Sequence, residues 1–232
     1  MIRLLLVIGA VALVGPVVAL AALEFWKMPN SPQDRQIAYI PGPPDEVAIS
    51  VVGTSLTAYY EWPDILAETL ELDLDRPIQV SRVAKGGETS SWGVENIEDI
   101  VSQEPDIVLI EFSINDADLR HLISLRQSIE NHERLIAGLR SADESVSIIL
   151  VTMSPAYGLR RGLRPRLAAY YNAYRQIARD TDTGLIDLYP RWLAYDARRQ
   201  ALPDGLHPTE AAATRLIVPT VVSYLEDMLA ES

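Results

Sequence analysis

Four short segments carry side chains that could act together on an acyl carbon. The first, Gly53-Thr54-Ser55, closes the apolar run Val47 to Val52. A serine at the mouth of a strand-to-helix turn has an exposed hydroxyl, and the N–H groups of the helix start point outward beside it. Serine is a weak nucleophile until a base takes its proton. Pro203-Asp204-Gly205-Leu206-His207-Pro208 can supply that base. An aspartate three residues before a histidine can turn back and accept from one ring nitrogen, leaving the other free. In Lys85-Gly86-Gly87-Glu88-Thr89, glycine lets a backbone N–H approach a ligand closely. In Glu111-Phe112-Ser113-Ile114-Asn115-Asp116, the Asn115 amide can face a developing negative oxygen. Singly, each segment is also ordinary turn or cap chemistry. Together they make a nucleophile (Ser55), a base (His207) and an orienting acid (Asp204). The oxyanion donors are the N–H groups of Ser55 and Gly87 and the Asn115 amide. That set is complete for acyl transfer through a serine ester.

The elements between these segments must bring them to one place. Strand-like apolar runs occur at Val47–Val52, Ile78–Val83, Ile107–Phe112, Val146–Thr152 and Gly184–Leu188. Helical spacing appears between them, in faces such as Ile65, Leu66, Thr69 and Leu70, or Leu125, Ile129, Leu135, Ile136 and Leu139. A long final helix is expected over about Thr209 to Leu229. Strands alternating with helices predict βαβ units, a mainly parallel sheet of five strands, and helices on both faces. In such a sheet the carboxyl ends of the strands lie along one edge, where the four segments can meet. Leu167, Tyr170, Tyr171, Tyr174 and Ile177 share a helical face and are expected to be core. The basic cluster Arg160 to Arg166 follows the fourth strand. It could reach the rim of the site, but a solvated loop is the plainer expectation.

The four segments resemble the motifs of the SGNH/GDSL hydrolase superfamily, and the resemblance covers about Val47 to Leu229. It implies that Ser55 is the nucleophile, that Gly87 and Asn115 complete the oxyanion hole, and that Asp204 and His207 form the Asp-x-x-His pair. Gly87-Glu88-Thr89 matches the usual Gly-acid-Thr form. The resemblance also implies a flavodoxin-like three-layer α/β/α fold with no metal or organic cofactor. Two positions depart from the family pattern: Thr54 stands where Asp usually precedes the serine, and Ser113 where the third motif usually opens with Gly. Neither replaces a catalytic side chain, but both bear on pocket shape. The expected activity is serine esterase, on short acyl groups. The alternatives are an O-acetyl esterase or O-acetyltransferase of envelope polysaccharide, or a non-catalytic anchored binding module.

Composition narrows the rest. The net charge of -12 argues against a nucleic-acid partner. The absence of cysteine excludes disulfides, thiolate metal sites and cysteine nucleophiles. Three widely separated histidines (His121, His132, His207) give no metal-ligand spacing. Residues 1–26 are nearly all apolar from Leu4 onward, and Phe25-Trp26-Lys27 reads as an interfacial anchor. Ala19-Leu20-Ala21 offers the competing reading, a cleaved signal peptide. An uncleaved anchor is favoured, and under either reading residues 45–232 are expected to be an exported domain. Residues 27–44 hold five prolines and predict an extended tether.

Overall fold

The computed structural model describes residues 31–39 and 46–230. Five strands, all parallel, form one sheet: β1 (Val47–Gly53), β2 (Ile78–Ala84), β3 (Ile107–Glu111), β4 (Ser147–Thr152) and β5 (Gly184–Asp187). Every strand boundary lies within one residue of the sequence reading. The strand order is β2-β1-β3-β4-β5. β3 and β4 are buried along their whole length and β1 nearly so, which is why they read as near-continuous apolar runs, with Ser50 the one polar residue inside β1. β2 lies at an edge and is partly exposed beyond Ile78, and its sequence mixes in Gln79, Ser81 and Arg82.

Helices α1 (Ser55–Ala58) and α2 (Trp62–Leu74) connect β1 to β2. Helices α3 (Ser90–Glu95) and α4 (Ile97–Val101) lead to β3, and α5 (Ser113–Asp116) and α6 (Leu125–Ala142) lead to β4. Helices α7 (Gly158–Leu163) and α8 (Leu167–Asp180) precede β5. Helices α9 (Leu188–Ala194), α10 (Arg198–Ala201) and α11 (Glu210–Ala230) follow it.

Alternate strand residues enter opposite cores. Val51 and Leu109 pack on one face with Leu66 and Leu70 of α2 and Ile217, Val221 and Leu225 of α11. Val52 and Ile110 pack on the other with Leu135 and Leu139 of α6 and Ile177 of α8. The result is the expected three-layer α/β/α sandwich. The chain runs outward from β1 to β2, then returns to the other side of β1 for β3. That reversal opens a crevice at the carboxyl ends of β1 and β3, the usual place for a ligand in an open parallel sheet.

Residues 31–39 fall in the stretch expected to be an extended tether, and they run along the edge of β5. Arg35 and Leu185 exchange both backbone hydrogen bonds, at 2.9 and 3.0 Å. Tyr39 is buried in the core. Among the described residues no helix is long and apolar enough to cross a membrane. The expected anchor, residues 1–26, lies outside the described residues.

Candidate active site

β1 ends in Gly53, and Thr54 caps α1: its Oγ1 accepts from the Leu56 N–H at 3.3 Å. Ser55 is therefore the first residue of a helix, with its N–H free of the helical ladder. Its side chain is mostly buried, at 8% exposure. The Ser55 Oγ lies 3.0 Å from His207 Nε2. The other ring nitrogen, Nδ1, lies 2.8 Å from Asp204 Oδ2. Oδ1 of the same carboxylate accepts from the Leu206 and His207 N–H groups at 2.9 and 2.7 Å. These bonds wrap residues 204–207 into a turn that holds the ring. Burial pushes the Asp204 carboxyl up, but the His207 ring and the two N–H donors outweigh it. Its pKa falls well below the usual carboxylate range.

Gly87 adopts φ +84, a left-handed conformation that side chains rarely take, and a Cβ there would meet nothing within 4 Å. The open space suits close approach of a ligand to its backbone. Asn115 donates one amide hydrogen to the Glu88 carbonyl at 2.9 Å, which links the second and third segments. Asp116 ties the same two loops, accepting from the Ser90 N–H at 2.8 Å and from Ser128 Oγ at 2.6 Å. All five sequence-chosen residues thus sit at one end of the sheet, Ser55 and Asn115 in short helices and the others on loops. Ser55, His207 and Asp204 are in direct hydrogen-bond contact, and Asn115 and Gly87 are joined through Glu88.

Several supporting residues were not assigned roles from sequence. Tyr174 belongs to the expected core stripe, yet its oxygen accepts from the Phe112 N–H at 2.8 Å and the Ser113 N–H at 3.3 Å. Its own proton goes to His132 Nε2 at 2.8 Å, and His132 Nδ1–H donates to the Ser128 carbonyl at 2.7 Å. Burial holds the His132 pKa below its ordinary value, so a neutral ring with this tautomer fits both contacts. The chain of bonds pins the Asn115 loop from beneath. Tyr60 does the same for the base loop, donating to the Pro208 carbonyl at 2.8 Å. Burial, with Glu210 and Asp204 nearby, pushes its phenol up to about 12 and keeps it a donor.

Two arginines of the basic cluster, Arg160 and Arg164, depart from the solvated-loop expectation, while Arg161 and Arg166 are exposed. Arg164 is 3% exposed. Its Nε donates to the Ile114 carbonyl at 2.8 Å, and its Nη2 lies 2.8 Å from Asp118 Oδ2 and 3.4 Å from Asn115 Oδ1. The buried Asp118 carboxylate supplies the charge that lets this guanidinium leave water. Arg160 Nη2 lies 2.9 Å from Asp204 Oδ2, the oxygen that also faces His207. The same connection clamps the base loop twice more. The Tyr157 N–H donates to the Gly205 carbonyl at 2.7 Å, and Ser154 Oγ donates to the Leu206 carbonyl at 3.0 Å. Gly205 has φ +83, and a Cβ would sit 2.6 Å from the Tyr157 carbonyl oxygen, so only glycine fits. The segment from Ser154 to Arg164 therefore straps the base loop to the Asn115 loop. The run of arginines was the signal. Its burial depended on Asp118, which no local pattern connects to it.

Glu111, the last residue of β3, is also buried. Its Oε1 accepts from the Thr54 N–H at 2.6 Å and from the Thr54 and Thr57 hydroxyls at 3.0 Å each. This accounts for Thr54: an aspartate there would set a second carboxyl against Glu111, whereas the threonine hydroxyl donates to it and still caps α1. Ser113 sits buried at the start of α5, bonded through its N–H to Tyr174.

Residues 49–215 match the GDSL-like lipase/acylhydrolase family. The chain belongs to this family. Membership and fold together make the GDSL protein a serine ester hydrolase. Solved structures agree in fold. A lipase/acylhydrolase from Enterococcus faecalis is 24% identical with a TM-score of 0.66, covering 78% of this chain and 96% of its own. The psychrotrophic esterase EstA from Pseudoalteromonas sp. is 25% identical with a TM-score of 0.63, covering 79% and 98%. An acetyl xylan esterase from Geobacillus stearothermophilus is 19% identical with a TM-score of 0.60, covering 77% and 94%. No curated protein matches the chain.

Proposed function

We propose that this GDSL hydrolase cleaves short-chain carboxylic esters through an acyl-Ser55 intermediate. His207 Nε2 takes the Ser55 proton as Oγ attacks the ester carbonyl. The N–H groups of Ser55 and Gly87 and the second amide hydrogen of Asn115 receive the oxyanion. His207 then protonates the leaving alcohol, and the acyl group stays on Oγ. Water, deprotonated by His207, releases the acid and restores the serine. Asp204 fixes the imidazole tautomer and faces the positive charge that the ring acquires in each step.

The observation that carries this reading is the unbroken contact line. Oγ is 3.0 Å from Nε2, and Nδ1 is 2.8 Å from a carboxylate whose other oxygen is already held by two N–H groups. Purified protein is expected to release p-nitrophenol from its acetate and butyrate esters, and His207→Ala is expected not to. Equal rates in the two proteins would contradict the assignment. Asn115→Ala should lower kcat by about 10²–10³ with KM little changed, since the donor acts on charge that exists only in the transition state. Arg160→Gln should be far milder, within about tenfold in kcat/KM, because this ion pair is about one-third exposed and screened by solvent. A loss as large as that of Asn115→Ala would mean that Arg160 touches substrate.

A second reading keeps the same chemistry and changes the acceptor. Two structural neighbours bear the names acetyl xylan esterase and carbohydrate acetylesterase. An acetylated envelope glycan would suit a catalytic domain held near a membrane by residues 1–26. Comparing acetate release with acetyl transfer to a sugar acceptor separates hydrolase from transferase. Recovery of the full chain in the soluble, unanchored fraction would count against membrane attachment.

A further inference from the structure

Residues 31–39 meet β5 in a direction that orients the whole domain. Arg35 pairs antiparallel with Leu185, so residues 31–33 lie at the carboxyl end of β5 and residues 36–38 near the amino ends of the strands, beside Ser147. The Gln33 N–H donates to Asp187 Oδ2 at 3.0 Å, and Asp34 Oδ1 accepts from the Asp187 N–H at 2.7 Å. Arg191 Nη2 holds Asp34 Oδ2 at 2.6 Å. Asp187 is the last residue of β5. The chain is therefore pinned, near residue 33, to the sheet edge that carries Ser55, Asn115 and His207. Only residues 27–30 separate Ser31 from the apolar stretch that ends at Trp26. Fully extended, the five steps from Trp26 to Ser31 span at most about 18 Å.

That edge also differs from the rest of the surface. Among the described residues, six large apolar side chains are exposed. One, Leu72, sits in the last turns of α2, at the opposite end of the sheet. The others are Tyr59, Leu119, Leu122, Leu159 and Leu193. They lie in the loops and short helices just after β1, β3, β4 and β5, before a long helix carries the chain back across the sheet. Leu119, Leu122 and Leu159 are 57%, 85% and 83% exposed. A single exposed leucine is ordinary, but several on one rim mark an interaction surface. Charge is sorted in the same way. Residues 155–166 and 188–201, after β4 and β5, hold seven arginines and one acidic residue, Asp196, in a chain with 20 basic and 32 acidic residues. Arg161, Arg166 and Arg199 are exposed.

We infer that the active-site edge docks on an anionic lipid bilayer, with the mouth of the Ser55 crevice facing the membrane. The leucines enter the headgroup boundary, and the arginines meet lipid phosphates. The inference rests on residues 1–26 holding the chain in a bilayer, as in the second reading above. Given that hold, the link decides the orientation. Its reach of about 18 Å is shorter than the sheet is tall, about 23 Å for the seven residues of β1. The opposite edge cannot turn to the membrane while residues 33–35 stay on β5. The crevice then receives esters presented at the bilayer surface.

The chain has no cysteine, so Leu122→Cys, Leu159→Cys and Leu72→Cys each provide one site for a bimane fluorophore. All three positions are exposed, and the fold does not depend on them. Each full-length variant is reconstituted with phosphatidylcholine/phosphatidylglycerol vesicles carrying a nitroxide lipid, and recovered by flotation. The protein is expected to float, with fluorescence lost at 122 and 159 and kept at 72. Protein that stays at the bottom of the gradient would overturn the anchor and the docking with it. Protein that floats with all three probes equally bright, or with 72 the most quenched, would overturn the docking and leave the anchor standing. A blue shift at 122 and 159 without quenching would give the edge to a second copy of the chain, which also overturns the docking. Arg161→Gln, or vesicles of phosphatidylcholine alone, should reduce the quenching at 122. Unchanged quenching in both would overturn the assignment to an anionic surface. None of these readings depends on esterase activity, so the docking and the proposed reaction fail separately.

Discussion

Replacing Ser55 by alanine is expected to lower kcat by about 10⁴–10⁶ while leaving the fold intact. The size follows from removing the only atom that forms the acyl intermediate. What remains is oxyanion stabilisation and substrate binding, worth about 10³–10⁴ over water in comparable hydrolases. The fold should survive because the hydroxyl's one polar contact is with His207, and the cap of α1 belongs to Thr54. Steady-state hydrolysis of p-nitrophenyl butyrate checks the rate, and a urea melt checks the fold. A loss below about tenfold in well-folded protein would remove Ser55 from the chemistry.

The second large effect concerns stability. Glu111→Ala is expected to cost about 3–5 kcal/mol in urea unfolding. It opens a cavity and leaves three buried donors, the Thr54 N–H and the Thr54 and Thr57 hydroxyls, without their acceptor. It should also impair catalysis, since those donors fix the turn that presents Ser55. The titration of Glu111 adds a pH signature. Burial pushes its carboxyl up from 4.5 to about 8, against the pull of the threonine donors. Below pH 4.5 the group is protonated in both folded and unfolded chains, and its full contribution is present. As the pH rises from 4.5 to about 8 the unfolded chain gives up this proton while the folded chain holds it. Stability therefore declines across that window and levels off above it, by an amount on the order of 3–5 kcal/mol. Glu111→Gln keeps an acceptor and cannot ionise, so its unfolding free energy should change less between about pH 5 and pH 8 than that of the wild type. Parallel slopes in the two proteins would mean that Glu111 is ionised in the fold.

The sheet was readable in the sequence because its three central strands are covered on both faces. A strand in that position has no reason to alternate, and β1, β3 and β4 appear as near-continuous apolar runs. The candidate site residues were legible for a related reason. Each sits in the first few residues after a strand or just before the last helix, where backbone geometry rather than packing selects the residue. The supporting groups were not readable, because each depends on a partner far away in the chain. Glu111 ends an apolar strand with a charge that makes sense only beside Thr54, and they are 57 residues apart. Arg164 looked like one more surface arginine until Asp118 and Asn115 met it. Tyr174 was placed correctly in the core by its helical spacing, but its phenol oxygen also holds the turn before Asn115. Burial and polar support were both required of one side chain, and periodicity reports only the first.

The proposed mechanism stands on one alkoxide being generated at one serine. Incubation with a fluorophosphonate, followed by peptide mass mapping, tests that directly. The expected result is a single stoichiometric adduct on Ser55, formed in step with loss of esterase activity and absent from His207→Ala over the same time. Full esterase activity in protein that carries no adduct at Ser55, or labelling at another residue that tracks the loss of activity, would contradict it.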